Sequence, residues 1–265
     1  NKFIFFSLVC VCVCMFPTNP PSVSRVVGGE DVKANSWPWQ VLEYIFYYTR
    51  PGHCMARGPQ LCFTVAACTA ELGEQRLALL SYMEASFFSP PGFVRVCFSN
   101  DIALIKLQTP VQFSDTISPA CLPPSGQVLP NNYPCYVTGW GRLWTGGPLA
   151  DNLQQALLPV VDHATCTKPD WWGNLVTTQM VCAGGDGQLA SCNGDSGGPL
   201  NCQRADGTWD VDGIVSFGSS LGCNYPKKPS VFTRVASYID WINKMVCNDG
   251  AIGNILVSQT YCDLI

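Results

Sequence analysis

Apolar and polar positions alternate far more regularly in the second half of this chain than in the first. From Asp101 onward short runs rich in β-branched and aromatic residues recur at 102–107, at Val128 with Leu129, and at 135–139, 157–161, 179–183, 199–202, 211–217 and 230–235. Gly, Pro, Asn and Asp separate them, and these residues end strands and make turns. The pattern therefore predicts a succession of short strands in an all-β barrel or sandwich. Over 236–246 the period changes: Tyr238, Trp241, Ile242 and Met245 fall three or four apart, which predicts one amphipathic closing helix. Before residue 101 the signal is thinner. Residues 37–48 read as a strand, whereas over 49–99 alternation is weak and 77–82 and 93–98 are the candidate strands. No internal repeat is visible.

Composition narrows the class. A chain of 265 residues suffices for one large all-β unit or two halves of about 120 residues. With 13% charged residues and a net charge of −4, it offers no basic field for nucleic acid and no polybasic patch for a membrane surface. Sixteen cysteines point to an oxidising compartment and a secreted, extracellular protein. Lys2 followed by the apolar run 3–16 has signal-peptide length and is too short to span a bilayer, so 1–13 is expected to be removed, taking Cys10 and Cys12 with it. Residues 17–24 carry three prolines and read as an exposed linker. Arg25 followed by Val26-Val-Gly-Gly-Glu30 is a junction that a trypsin-like protease can cut, or else an ordinary loop. The scattered Cys and His form no zinc pattern, and no motif implies a redox or nucleotide cofactor.

The chemistry centres on 190–199, Ala-Ser-Cys-Asn-Gly-Asp-Ser-Gly-Gly-Pro. Ser196, flanked by Gly194 and Gly197, stands where a hydroxyl can rise clear of its backbone beside free N–H groups, the geometry that holds an acyl-transfer oxyanion. The same composition also suits a plain surface turn.

Six motifs in order tie these parts together: Val26-Val-Gly-Gly, Trp37-Pro-Trp-Gln, Asp101-Ile-Ala-Leu, Gly139-Trp-Gly-Arg, Gly194-Asp-Ser-Gly-Gly-Pro and Val231-Phe-Thr-Arg-Val. They resemble the chymotrypsin family of serine proteases, nearest to pancreatic elastases of the second type, over 26–41 and 100–246; the likeness is poor over 42–99. The resemblance implies an all-β fold of two antiparallel six-stranded barrels with a C-terminal helix. The domains would be a signal peptide (1–13), an activation propeptide (14–25), a protease domain (26–246, with barrels at 26–120 and 121–235 and the helix at 236–246) and an extra tail (247–265). It implies disulfides Cys54–Cys68, Cys135–Cys202, Cys166–Cys182 and Cys192–Cys223, with Cys14–Cys121 tethering the propeptide; Cys62, Cys97, Cys247 and Cys262 have no counterpart.

By the same resemblance Ser196 is the nucleophile, Asp101 the triad acid steadied by Ser216, and the Gly194 and Ser196 N–H groups the oxyanion hole. Cutting after Arg25 frees the Val26 amine to pair with Asp195, and a buried ammonium and carboxylate tolerate burial only together. Ala190 stands where trypsin-like enzymes carry an aspartate, so Lys and Arg are disfavoured in the pocket. Gly218 leaves its entrance open and Ser230 narrows it lower down, implying medium to large apolar residues.

The triad base is missing. Where the family has Thr-Ala-Ala-His-Cys this chain has Thr64-Val-Ala-Ala-Cys68, so Ala67 stands in the seat of the histidine. The two histidines, His53 and His163, read as surface or structural residues. Cys54 is followed by Met-Ala-Arg-Gly rather than Gly-Gly-Ser-Leu, and the Ala67 to Asp101 interval is short, so the first barrel is expected to be incomplete and to lack the usual calcium loop. Loss of the base costs roughly a millionfold in turnover. Three readings follow: an elastase-like endopeptidase homologue crippled as written; a pseudoprotease that binds peptides or inhibitors; and an active enzyme whose 42–99 and 247–265 come from a faulty gene model. Expected partners are peptide substrates, protease inhibitors and an activating trypsin-like protease, for a monomeric chain.

Overall fold

The alternating runs of the second half pair edge to edge until the last meets the first. The computed structural model describes residues 3–5, 29–34, 36–47, 65–72, 86–88, 90, 98–106 and 120–248. Its strands are β1 (Phe3–Phe5), β2 (Glu30–Asp31), β3 (Val41–Tyr47), β4 (Val65–Leu72), β5 (Ser86–Phe88) and β6 (Leu104–Lys106), then β7 (Pro134–Gly139), β8 (Gln154–Val161), β9 (Met180–Ala183), β10 (Pro199–Gln203), β11 (Trp209–Phe217) and β12 (Ser230–Arg234). Helices α1 (His163–Cys166) and α2 (Ile239–Asn248) accompany them.

Strands β8, β7, β10, β11, β12 and β9 pair antiparallel in that order, and β9 returns to β8 through Val160 with Ala183 and Val161 with Cys182. This is a closed six-stranded barrel. Side chains two apart along a strand share a face, so Cys135 and Val137, Leu158 and Val160, and Leu200 and Cys202 fill its interior with Val215 and Phe232. A methyl group on Gly213 would come within 2.9 Å of Phe232 Cβ, so glycine is what lets β11 lie close against its neighbours here. The start of the domain is fastened outside: β2 pairs with β8, Glu30 against Gln155.

Among the described residues of the first half, β3 pairs with β4, while β6 lies between β1 and β5. The residues expected to leave with a signal peptide thus include Phe3–Phe5, laid against Leu104–Lys106, an edge whose unpaired backbone groups accept an apolar extended segment. The expected strands at 77–82 and in most of 93–98 fall outside the described residues.

Two expected strands differ. Trp37–Gln40 is a turn, with Gln40 N donating to Trp37 O at 2.9 Å, because Pro38 has no N–H to give a ladder. Both tryptophans are buried against the second half: Trp37 meets Trp209 edge to face at 4.9 Å, and its Nε1 donates to Gln155 Oε1 (2.9 Å), while Trp39 Nε1 donates to Asn201 Oδ1 (2.8 Å). Val128 and Leu129 form no strand either; Val128 is 75% exposed in the loop after the Gly126 turn, two apolar residues being too few to hold a ladder. The closing helix begins at Ile239 after a 3-10 turn at Val235–Ser237, and Tyr238, Ile239 and Ile242 seat it on the Trp37, Trp39 and Trp209 cluster.

Candidate active site

The loop between β9 and β10 is shaped by its backbone. Gly194 (φ +103°) and Gly197 (φ +82°) take conformations that other residues adopt only under strain, and Ser196 is left exposed between them. Gly197 N donates to Val215 O and Val215 N to Gly198 O, both at 2.9 Å, which pins the loop to β11. The N–H groups of Asp195 and Gly198 are likewise used inside the loop, on Cys192 O and Asp195 O. Those of Gly194 and Ser196, the two donors expected to form the oxyanion hole, donate to no described residue. Cys192–Cys223 clips the loop from the other side. Cys135–Cys202 and Cys166–Cys182 form as the resemblance implied. Cys121 is also disulfide-bonded, while Cys14, Cys54, Cys62, Cys97 and Cys262 lie outside the described residues and only the backbone of Cys68 and Cys247 is described.

Asp195 turns inward. Its Oδ1 accepts from Gly141 N (2.8 Å) and its Oδ2 from Cys192 N (2.9 Å). Burial pushes its pKa up, and those two bonds oppose the shift. A methyl group at Gly139 or Gly141 would overlap this carboxylate, which explains the two glycines flanking Trp140. Gly139→Ala is therefore expected to cost about 1–3 kcal/mol in urea unfolding; a variant as stable as the parent would show that the cradle is loose. A cavity of about 190 Å³ adjoins Asp195 and runs past Gly139, Leu143 and Ala190 to Gly29.

Asp101 is held by the second half. Ser216 Oγ donates to its Oδ2 at 2.6 Å, and Thr233 Oγ1 to its carbonyl at 2.7 Å. Tyr238 OH secures the preceding Asn100 through Oδ1 at 2.9 Å. Burial raises the Asp101 pKa and the Ser216 bond counteracts it. Ser216 and Val215 are consecutive on β11, so one strand positions both Asp101 and the loop of Ser196.

In the pocket region, Ser230 Oγ accepts from both Ser191 N and Ser191 Oγ at 2.9 Å, and both serines are buried. Ala190 lies beside them with no charge to offer. A methyl group on Gly218 would meet no described residue within 4 Å. One residue before Gly218, the Phe217 ring stacks on Phe98 at 4.9 Å and meets the edge of Trp172 at 5.3 Å.

Ala67 sits in β4, in register with Phe46. His163 is exposed on α1; Arg25, Val26 and His53 lie outside the described residues. Sequence reading missed Thr233, Tyr238 and Ser191 as positioning residues, because each acts through a contact more than 35 positions away in the chain. The Gly139 and Gly141 cradle did leave a trace, in the motif Gly-Trp-Gly.

The model of the Trypsin family matches residues 26–242, opening at the residue after Arg25. This chain belongs to the trypsin family. It is 51% identical over 258 residues to chymotrypsin-C of Rattus norvegicus, covering 90% of this chain and 96% of that protein. Chymotrypsin-C of Bos taurus is 52% identical over 248 residues (87% and 92%). Chymotrypsin-like elastase family member 3B of Homo sapiens is 47% identical over 253 residues (88% and 92%). The trypsin-family match makes peptides its substrate class and places it among serine proteases of the chymotrypsin and elastase kind. No helix among the described residues is long and apolar enough to cross a membrane.

Proposed function

We propose that this chain is an elastase-like serine endopeptidase homologue, secreted as a zymogen, with a pocket for medium to large apolar residues and turnover crippled by alanine at position 67. The observation that carries it is the Ser216 bond to Asp101 on the strand that pins the Ser196 loop: nucleophile and acid keep their common support. In this reading Ser196 Oγ attacks the scissile carbonyl, the Gly194 and Ser196 N–H groups take the oxyanion, and with alanine at position 67 the hydroxyl proton passes to solvent water, a poor base. The Ser191 and Ser230 hydroxyls satisfy one another, so the pocket floor is uncharged and a Lys or Arg would lose its hydration there without a countercharge.

Activation follows from the cavity beside Asp195. Its volume exceeds the roughly 150 Å³ that takes up benzene, enough for the Val26 side chain and amine once 14–25 is cut away, and the ammonium would lower the Asp195 pKa that burial raises. Protease domain 26–246, leader 1–13 and tail 247–265 complete the scheme, in which Cys14 tethers the propeptide to Cys121; the disulfide bonding of Cys121 supports that reading.

A second reading, capture of peptides or inhibitors without turnover, draws on the same donors and satisfied pocket, because binding needs neither base nor proton transfer. Titration of the trypsin-treated chain with peptidyl boronic acids tests the site. An acid ending in leucine is expected to bind and one ending in arginine to fail. Failure of both in folded protein overturns both readings.

A further inference from the structure

Asp101 is a carboxylate held in place with one oxygen committed. Oδ2 takes the Ser216 hydroxyl at 2.6 Å, and no other described group donates to the side chain, which is partly exposed. The next residue back along β11, Val215, exchanges backbone bonds with Gly197 and Gly198 beside the exposed Ser196. An oriented carboxylate acceptor and an exposed hydroxyl are thus fixed to consecutive positions of one strand by the second barrel, with Thr233 and Tyr238 bracing the acid from β12 and the turn before α2. The missing part is a ring with one N–H to give and one lone pair to receive. The protein does not need to own that ring.

We infer that this chain hydrolyses peptides that bring their own imidazole, a histidine on the acyl side of the scissile bond whose ring lies between Asp101 and Ser196. The inference rests on the reading of Ala67 as the vacated seat of the base. Imidazole Nδ1–H donates to Asp101 Oδ1 and Nε2 takes the Ser196 proton as Oγ bonds to the carbonyl carbon; the C=O pair moves onto oxygen, held by the Gly194 and Ser196 N–H groups. Collapse breaks the C–N bond, and the leaving amine takes the proton from Nε2. Water then attacks the acyl-enzyme through the same ring, which returns a proton to Ser196 Oγ as the acid departs. A histidine on the amine side behaves differently. It assists acylation and leaves with the product, so the acyl-enzyme accumulates with no base to release it.

The test uses the trypsin-treated full chain, with the trypsin removed, and one peptide series ending in leucine at the scissile bond, with a single histidine or glutamine moved through positions on either side. The best acyl-side histidine peptide is expected to turn over about 100-fold faster than its glutamine twin, or more. Its rate should rise with pH through about 6.5 as the ring becomes neutral, and Asp101→Asn should abolish the advantage. Amine-side histidine should give a burst of one equivalent and then stop. Equal rates for histidine and glutamine peptides, or an advantage untouched by Asp101→Asn, overturn the inference. The Ala67→His variant and the leucine boronic acid separate the levels: if Ala67→His cleaves every peptide while the parent ignores histidine, this inference falls and the reading of position 67 stands. If the variant gains nothing and the parent binds no boronic acid, that reading falls too.

Discussion

Histidine restored at position 67 is expected to raise hydrolysis of a leucine ester by the trypsin-treated chain by roughly a thousandfold to a millionfold. A serine hydroxyl is a weak nucleophile until a neighbour takes its proton, and in a serine protease of unrelated fold the loss of the base costs about a millionfold in kcat, or about 8 kcal/mol of transition-state stabilisation. Besides Asp101, such a histidine needs the Ser196 loop and the groups that brace Asp101, and these come from the second half. Ser216, Thr233 and Tyr238, all in the second half, hold the Asp101 segment. Burial raises the Asp101 pKa, and an imidazolium beside it would reverse that shift by favouring the carboxylate, so acid and base stabilise each other in their working charge states. The range is wide because Met55-Ala-Arg-Gly replaces the family's residues after Cys54. The gain should vanish with Ser196→Ala and should fall away below about pH 6.5 as the ring takes a proton. A variant that binds the leucine boronic acid and gains no activity would remove position 67 from the mechanism.

The second barrel was legible because its signals are local. Alternation in 135–139, 199–202 and 230–235 names residues that do fill the interior, and the strands sit within a residue or two of where the pattern puts them. The strand β8 begins at Gln154, three residues before the apolar run at Leu157, because Gln154 and Gln155 pair with β2 and their amides bond Asp31 and Glu30, contacts no periodicity can register. Trp37-Pro-Trp misled for the opposite reason: aromatic content suggests a strand, yet the proline makes a turn whose rings are buried by residues more than 90 positions away. At the site, Ser196 and Asp101 were readable from motifs, whereas Thr233 and Tyr238 were not, since a hydroxyl that braces a carbonyl or an amide looks like any other hydroxyl in the chain. The pairing of β4 with β3 was hidden by the weak alternation of 49–99, where Ala66, Ala67, Thr69 and Ala70 give little contrast between faces.

Asp212→Asn is expected to stabilise the folded chain at pH 8 by on the order of 3–4 kcal/mol and to change little at pH 4. Asp212 lies on β11 two residues after Asp210, 4% exposed; Gln127 Nε2 donates to its Oδ1 at 3.1 Å and its Oδ2 has no partner among the described residues. The nearby Arg204 is already committed, with Nε and Nη2 on the Asp210 carboxylate at 2.7 Å and Nη2 also on Leu122 O. Asp212 is thus desolvated beside a second carboxylate, and the Gln127 bond and the more distant pull of Arg204 only partly offset this, so its pKa is pushed up to about 7. The acid binds its proton more tightly folded than unfolded, so the stability it contributes is complete below about pH 4 and is lost as pH rises through about 7. Asparagine keeps a carbonyl for Gln127, replaces the acid O–H with an N–H donor and carries no charge to desolvate at any pH. Asp210→Asn should act oppositely, lowering stability near neutrality by leaving Arg204 without its bidentate partner. Urea unfolding of both variants at pH 4 and pH 8 measures the difference. An Asp212→Asn advantage that is the same at the two pH values would mean that the carboxyl stays ionised in the folded chain, contrary to its burial next to Asp210.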